Sequence, residues 1–215
     1  LLYRFAKKAF RRPIKNDDIS PYLKISRERL KTTDDFVSAL RVGYRAILCS
    51  PRFIYFHETP GKLDDFAIAS RMSYLLWNRM LDEELWILAS KGELSKPEVV
   101  KRQVERMLKD PRGKNFVQDF ADQWLDMNQI DFTEPDKRSY PGFDRIVEKS
   151  MLDETHQYLQ QMIDDDLGVS HLIDSDFTFL NSRLARYYDI GSDGIGKVTG
   201  DNLQKVSLRS ASHRG

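Results

Sequence analysis

The feature that most constrains this chain is the spacing of its apolar residues, which recur three and four apart through most of its 215 residues. That is the period of an α-helix with one face turned to a core, not the alternation of a strand. In "LLYRFAKKAF", Leu2, Phe5, Ala6, Ala9 and Phe10 form such a stripe, and Pro13 stops it. Asp17 and Asp18 open a second helix, where acids suit the positive end of the helix dipole, with Tyr22, Leu23 and Leu30 turned inward. In "TTDDFVSALRVGYRAILCSP", Thr33 is placed to cap a third helix. Phe36, Val37, Leu40, Tyr44, Ile47 and Leu48 repeat along it, and Ser50 and Pro51 end it.

The same pattern continues after one interruption. "RFIYFHE" alternates, with Phe53, Tyr55 and His57 opposite Ile54 and Phe56, but it has no partner strand and reads as an extended connector. "LDDFAIASRMSYLLWNR" turns Phe66, Ala69, Met72, Leu75 and Leu76 to a core, and the helix after it ends at Gly92 in the C′ position. "SKPE" reads as a capping box at Ser95 with Pro in the first turn, opening a helix that runs to about Lys109 and stops at "DPRG". Phe116, Val117, Phe120, Trp124 and Leu125 mark another helix, and "FDRIVEKSMLDETHQYLQQMI" a long one. The expectation is an all-α fold of about seven to nine helices with short connectors and no substantial sheet. Trp77, Trp86 and Trp124 all lie among apolar neighbours and are expected in the core.

Composition sets limits on function. The chain is 40% apolar and 31% charged, as an ordinary globular protein is. No apolar run approaches the roughly 20 residues of a membrane span. The start has neither Met nor a signal-type apolar core, so the chain is expected to begin within a longer protein. Its one cysteine, Cys49, permits no internal disulfide and no Cys-rich zinc site, and is expected to be a small buried residue. Net charge is +1, yet residues 1–52 carry 13 Lys and Arg against 5 Asp and Glu, whereas residues 115–190 carry 6 against 16. The basic residues are dispersed around helical positions without a recognition-helix or RNP pattern, which speaks for two mutually attracting halves and against a nucleic-acid partner.

Candidate chemistry is sparse. The histidines His57, His156, His171 and His213 are scattered, with no HExxH pair. Asp153 and His156 share a helical face with Glu154 beside them, but a metal would need a further ligand from elsewhere, and an interhelical hydrogen bond is the plainer reading. The acids at 164–166 sit at a helix end where a Lys or Arg partner would relieve them. "DIGSDGIGKVTGDN" lacks both the calcium-loop and the phosphate-loop pattern and reads as a Gly-rich connector. No GxSxG elbow occurs.

The most particular stretch is "DSDFTFLNSRLARYYDI", residues 174–190. Asn181 is a good N-cap for a helix carrying Leu184, Tyr187 and Tyr188, and "DFTFL" alternates as an extended lead-in. Asp174 and Asp176 flank that lead-in as turn formers. With Asn181, Arg183, Arg52 and Arg71 they are also the expected members of a polar cluster, in which the two acids meet Arg52 and Arg71.

Six ordered blocks, "FAKKAFRRPI", "AILCSPRFIY", "DDFAIASRMSYLLWNRMLDEEL", "VERMLKDPRGKNFVQDFADQWL", "MLDETHQYL" and the stretch above, together resemble a planctomycete family of large secreted proteins. In that family these segments are domains of unknown function numbered 1595 (here about 1–60) and 1592 (about 63–190), and residues 191–215 would be a Gly-rich linker and the start of a following module at "HRG". The resemblance implies a non-catalytic helical scaffold or docking module of an extracytoplasmic multidomain protein. Its partners would be neighbouring domains of the same polypeptide, c-type haem modules among them, and polysaccharide. No CxxCH is present, so no cofactor of its own is expected. The alternative is an enzyme domain acting on polysaccharide, with Asp174, Asp176 and Glu154 as acid/base candidates.

Overall fold

The computed structural model describes residues 1–56, 58, 60–132, 135–190 and 198–208. His57, His213, residues 191–197 of the Gly-rich connector and the final "HRG" lie outside the described residues. Among those described are ten α-helices and one two-stranded antiparallel sheet, so the all-α expectation holds with slightly more helices than the periodicity counted. The additional one is short, the single turn Pro51–Ile54 where an extended connector was expected. No helix among the described residues is long and apolar enough to cross a membrane. The chain divides into two compact units, Leu1–Asp110 and Pro111–Gly215, so the break falls within the 63–190 segment.

The first unit holds α1 (Leu2–Ala9), α2 (Asn16–Thr33), α3 (Phe36–Leu48), α4 (Pro51–Ile54), α5 (Asp65–Trp77), α6 (Glu83–Ser90) and α7 (Pro97–Lys109). Its first core joins Leu2, Ala6, Ala9, Phe10, Ile14, Ile19 and Ile47, each large side chain contributing about 1.5–3 kcal/mol on burial. Helices α2 and α3 approach closely at Gly43, where an added Cβ would stand 2.8 Å from Leu2 Cδ2 and closer still to Ser26 Oγ. A second core centres on Trp77, fully buried, whose indole N–H donates to the Met107 carbonyl of α7 at 2.9 Å.

Several local expectations give way to competing residues. Asp35, not Thr33, caps α3 by accepting from Val37 N, and Thr33 finishes α2. The capped start places Phe36 and Val37 in the first turn, both exposed, and the buried face is Ala39, Gly43 and Ile47. The alternating "RFIY" winds instead into α4, because Ser50 accepts from Arg52 N and Pro51 is preset for a first turn. Ser95 donates to the Gly92 carbonyl and leaves α7 without a side-chain cap. Cys49, just past α3, is exposed. Gly92 does take the left-handed C′ position (φ +71°), with Glu93 N bonding back to Leu88 O and Gly92 N to Ala89 O as a Schellman turn requires.

The second unit holds α8 (Lys114–Trp124), α9 (Arg145–Asp164), β1 (Phe177–Leu180), α10 (Ser182–Tyr187) and β2 (Gln204–Ser207). The expected lead-in is β1, all four residues buried, paired antiparallel with β2 in the register Phe177–Ser207 to Leu180–Gln204. Its partner strand went unforeseen because "QKVS" lies beyond the Gly-rich run and buries only Val206. Trp124 is 52% exposed on α8, behind a ladder of Phe116 and Phe120, and Trp86 is half-buried, so only Trp77 of the three is a full core residue.

Candidate functional site

The long helix α9 organises the second unit. Asp144 caps it, accepting from Ile146 N at 2.9 Å and Val147 N at 2.8 Å. Those bonds, the Val147 one foremost, and the Arg183 guanidinium hold the Asp144 carboxyl below its ordinary value. Because residues three and four apart share a face, α9 presents Lys149, Asp153, His156, Gln157 and Gln160 to one cavity and Met151, Glu154, Thr155 and Tyr158 to another. Asp153 and Glu154, neighbours in sequence, therefore face different spaces.

The first cavity, about 770 Å³, has an apolar floor of Val117, Ile146, Phe179 and Leu203. Its walls carry six side-chain amides and a balanced set of charges: Lys114, Lys149 and Arg183 against Asp153, Asp164 and Asp201. Part of this polarity is architectural. Asn181 caps α10, accepting from Arg183 N and Leu184 N, and its amide donates to Ser150 Oγ at 2.9 Å and the Asp201 carbonyl at 3.3 Å. His156 Nε2 lies 2.8 Å from Asp122 Oδ1, the interhelical bond expected of it, joining α9 to α8. Gln160 and Gln161 donate to Asp164 and Asp165, and Lys205 reaches Asp165 at 3.6 Å, which relieves the acids at the helix end. The buried Gln160 Oε1 has no partner among the described residues.

The second cavity, about 420 Å³, is walled by Tyr158, Phe177 and Tyr188. Glu154 accepts from Thr178 Oγ1 at 2.6 Å through one oxygen and from Tyr188 OH at 2.9 Å through the other. Tyr158 OH donates to the His171 carbonyl. The sequence pointed to Glu154 only through its neighbours. Its hydroxyl partners come from β1 and the end of α10, a juxtaposition that the sheet creates.

The expected polar cluster is redistributed. Arg52 pairs with Asp18 at 2.6 Å and Arg71 with Glu58 at 2.6 Å, both within the first unit. Their partners are thus Asp18 and Glu58 instead of Asp174 and Asp176, because a capping acid of α2 and the acid before α5 lie within reach of short side-chain spans. Asp174 and Asp176 are exposed, and the Asp176 carbonyl accepts from Leu208 N to extend the sheet pairing. Arg183 pairs with Asp144 across α10 and α9. Among the described residues no group of three or more His, Cys, Asp and Glu side chains converges as a metal site would.

Two family models match the chain. One described as PSD4, protein of unknown function (DUF1592), covers residues 63–190, and one described as PSD5, protein of unknown function (DUF1595), covers residues 1–58. No curated protein and no solved structure matches it significantly.

Proposed function

For a chain that belongs to the DUF1592 family of proteins of unknown function, we propose a role in binding without catalysis: a helical docking module of a larger extracytoplasmic multidomain protein that also carries c-type haem modules. The observation that carries this reading is the surroundings of the acid/base candidates Glu154, Asp174 and Asp176. Hydrolysis of a glycosidic bond needs two carboxyl groups about 5–9.5 Å apart across one substrate. Glu154 faces the second cavity with both oxygens engaged by Thr178 and Tyr188, and Asp174 and Asp176 stand exposed at the turn before β1 and line neither cavity.

A second reading, action on polysaccharide, draws on the first cavity: balanced charges, side-chain amides and an apolar floor are the surface that an uncharged polyhydroxylated ring would meet. One pair of measurements separates the two. The 215-residue chain is titrated against a separately expressed haem module of the same polypeptide by calorimetry, and is incubated with a panel of polysaccharides while reducing ends are counted. Saturable binding to the haem module without reducing-end release supports the docking module. Reducing-end release that disappears in Asp153→Asn or Glu154→Gln would replace it with the enzymatic reading.

A further inference from the structure

The first unit contains an arginine in an unusual position. Arg11 follows α1 at the C′ position with φ +58°, a conformation that favours Gly or Asn, and is only 6% exposed. Its side chain is what the position keeps. Nη1 donates to the Phe53 carbonyl at 2.9 Å, and Nη2 to the carbonyls of Arg52 at 3.1 Å and Tyr55 at 3.0 Å, closing the end of α4. The guanidinium also lies 5.4–6.0 Å from the rings of Phe53, Phe56 and Tyr74. All of these partners are neutral, and among the described residues no carboxylate forms an ion pair with Arg11.

A cavity of about 230 Å³ adjoins this buried charge. Around it stand Arg12, Lys15 and Arg52 in addition to Arg11, against the carboxylates of Asp18 and Glu58. Both carboxylates are already committed. Asp18 accepts from Lys15 N and from Arg52, which hold it below its ordinary pKa, and Glu58 is gripped by Arg71. Arg12 is held by Asp64 and Arg52 by Asp18, which leaves Arg11 and Lys15 as the cations of this lining without a carboxylate ion pair among the described residues, and clamping the end of α4 leaves the buried Arg11 charge uncompensated. An anion in the cavity would relieve it.

We propose that this cavity binds a small oxyanion, with Arg12 and Lys15 reaching the ligand and Arg11 supplying a fixed positive field behind it. The guanidinium fork suits phosphate, sulfate and carboxylate oxygens alike. The proposal stands apart from the docking role and from both cavities of the second unit.

The test is calorimetric titration of the 215-residue chain with inorganic phosphate, sulfate and acetate, each at constant ionic strength set with chloride. One saturable site per chain is expected for at least one of the three, and whichever binds best assigns a tetrahedral ligand or a carboxylate. Arg12→Gln and Lys15→Gln should each weaken binding about fivefold, the effect of one charge at contact distance in water. Asp18→Asn should tighten it by a similar factor, a change in the direction opposite to that of a folding defect. Absence of saturable heat with all three anions would overturn the proposal, as would affinities that Arg12→Gln and Lys15→Gln leave unchanged.

Discussion

Asn181→Ala is expected to destabilise the second unit by about 2–4 kcal/mol, the sum of two separable losses. The side-chain oxygen accepts from Arg183 N at 3.1 Å and Leu184 N at 2.9 Å, and losing an N-cap of this kind costs about 1 kcal/mol. The side-chain amide donates to Ser150 Oγ and to the Asp201 carbonyl, tying α9 and the approach to β2 to the start of α10. Asn181 and Ser150 are both buried, so removing that bridge adds about 1–3 kcal/mol. Asn181→Ser retains an oxygen able to cap and loses the bridge, and should cost about 1 kcal/mol less than the alanine variant. Urea denaturation followed by far-UV circular dichroism measures the totals, and hydrogen exchange across residues 177–188 locates them in this unit. If both variants lay within about 0.5 kcal/mol of the parent, as a plain surface change does, the reasoning would fail. Equal losses in the two variants would refute the division into cap and bridge.

Gly43→Ala should destabilise the first unit by about 1–3 kcal/mol through overpacking against Leu2 and Ser26, and adding Ser26→Ala should recover part of it in a denaturant series. Trp77→Ala should cost about 3–5 kcal/mol, whereas Trp124→Ala, on an exposed face, should lower the melting temperature little. Stability should also decline in acid. Asp18, Glu58, Asp136 and Asp144 have carboxyls held below their ordinary values, by backbone or side-chain hydrogen bonds foremost. The folded chain therefore binds these protons less readily than the unfolded chain. Their contribution is complete above the ordinary values of 3.8 for Asp and 4.5 for Glu, and is lost as pH falls through the lower folded values. Melting temperatures measured down through that window should fall less steeply in Asp144→Asn than in the parent.

What could be read from the residues alone was whatever depends on neighbours in sequence. The stripe Leu2, Ala6, Ala9, Phe10 became core, Gly92 closed α6, Asp110 and Pro111 ended α7, and Asn181 capped α10, because period and capping are local. Errors of one or two residues came at helix starts: Asp35 caps α3 in place of Thr33, and α7 begins after Lys96 without a side-chain cap because Ser95 donates to the Gly92 carbonyl. The site was less legible. His156 was seen as an interhelical group, but its partner Asp122 is 34 residues away, and Glu154 meets Thr178 and Tyr188 only after β1 folds back along α9. Charge asymmetry suggested long-range pairing for Arg52 and Arg71. Both instead settle on acids 34 and 13 residues away in their own unit.

The break after Asp110 bears on how such a chain can be passed on in pieces. The two family segments meet near residue 60, yet the first unit runs through that point to Asp110. Arg12 from the first segment holds Asp64, which caps α5 in the second, and Glu58 and Arg71 repeat the link at 2.6 Å. Gene rearrangement that separated the segments at residue 60 would deliver a first portion lacking Tyr74, one of the three rings around the Arg11 guanidinium, and a second portion with α5 stripped of its basic neighbour. A cut that leaves each compact unit whole lies some fifty residues later, where α7 gives way to Pro111.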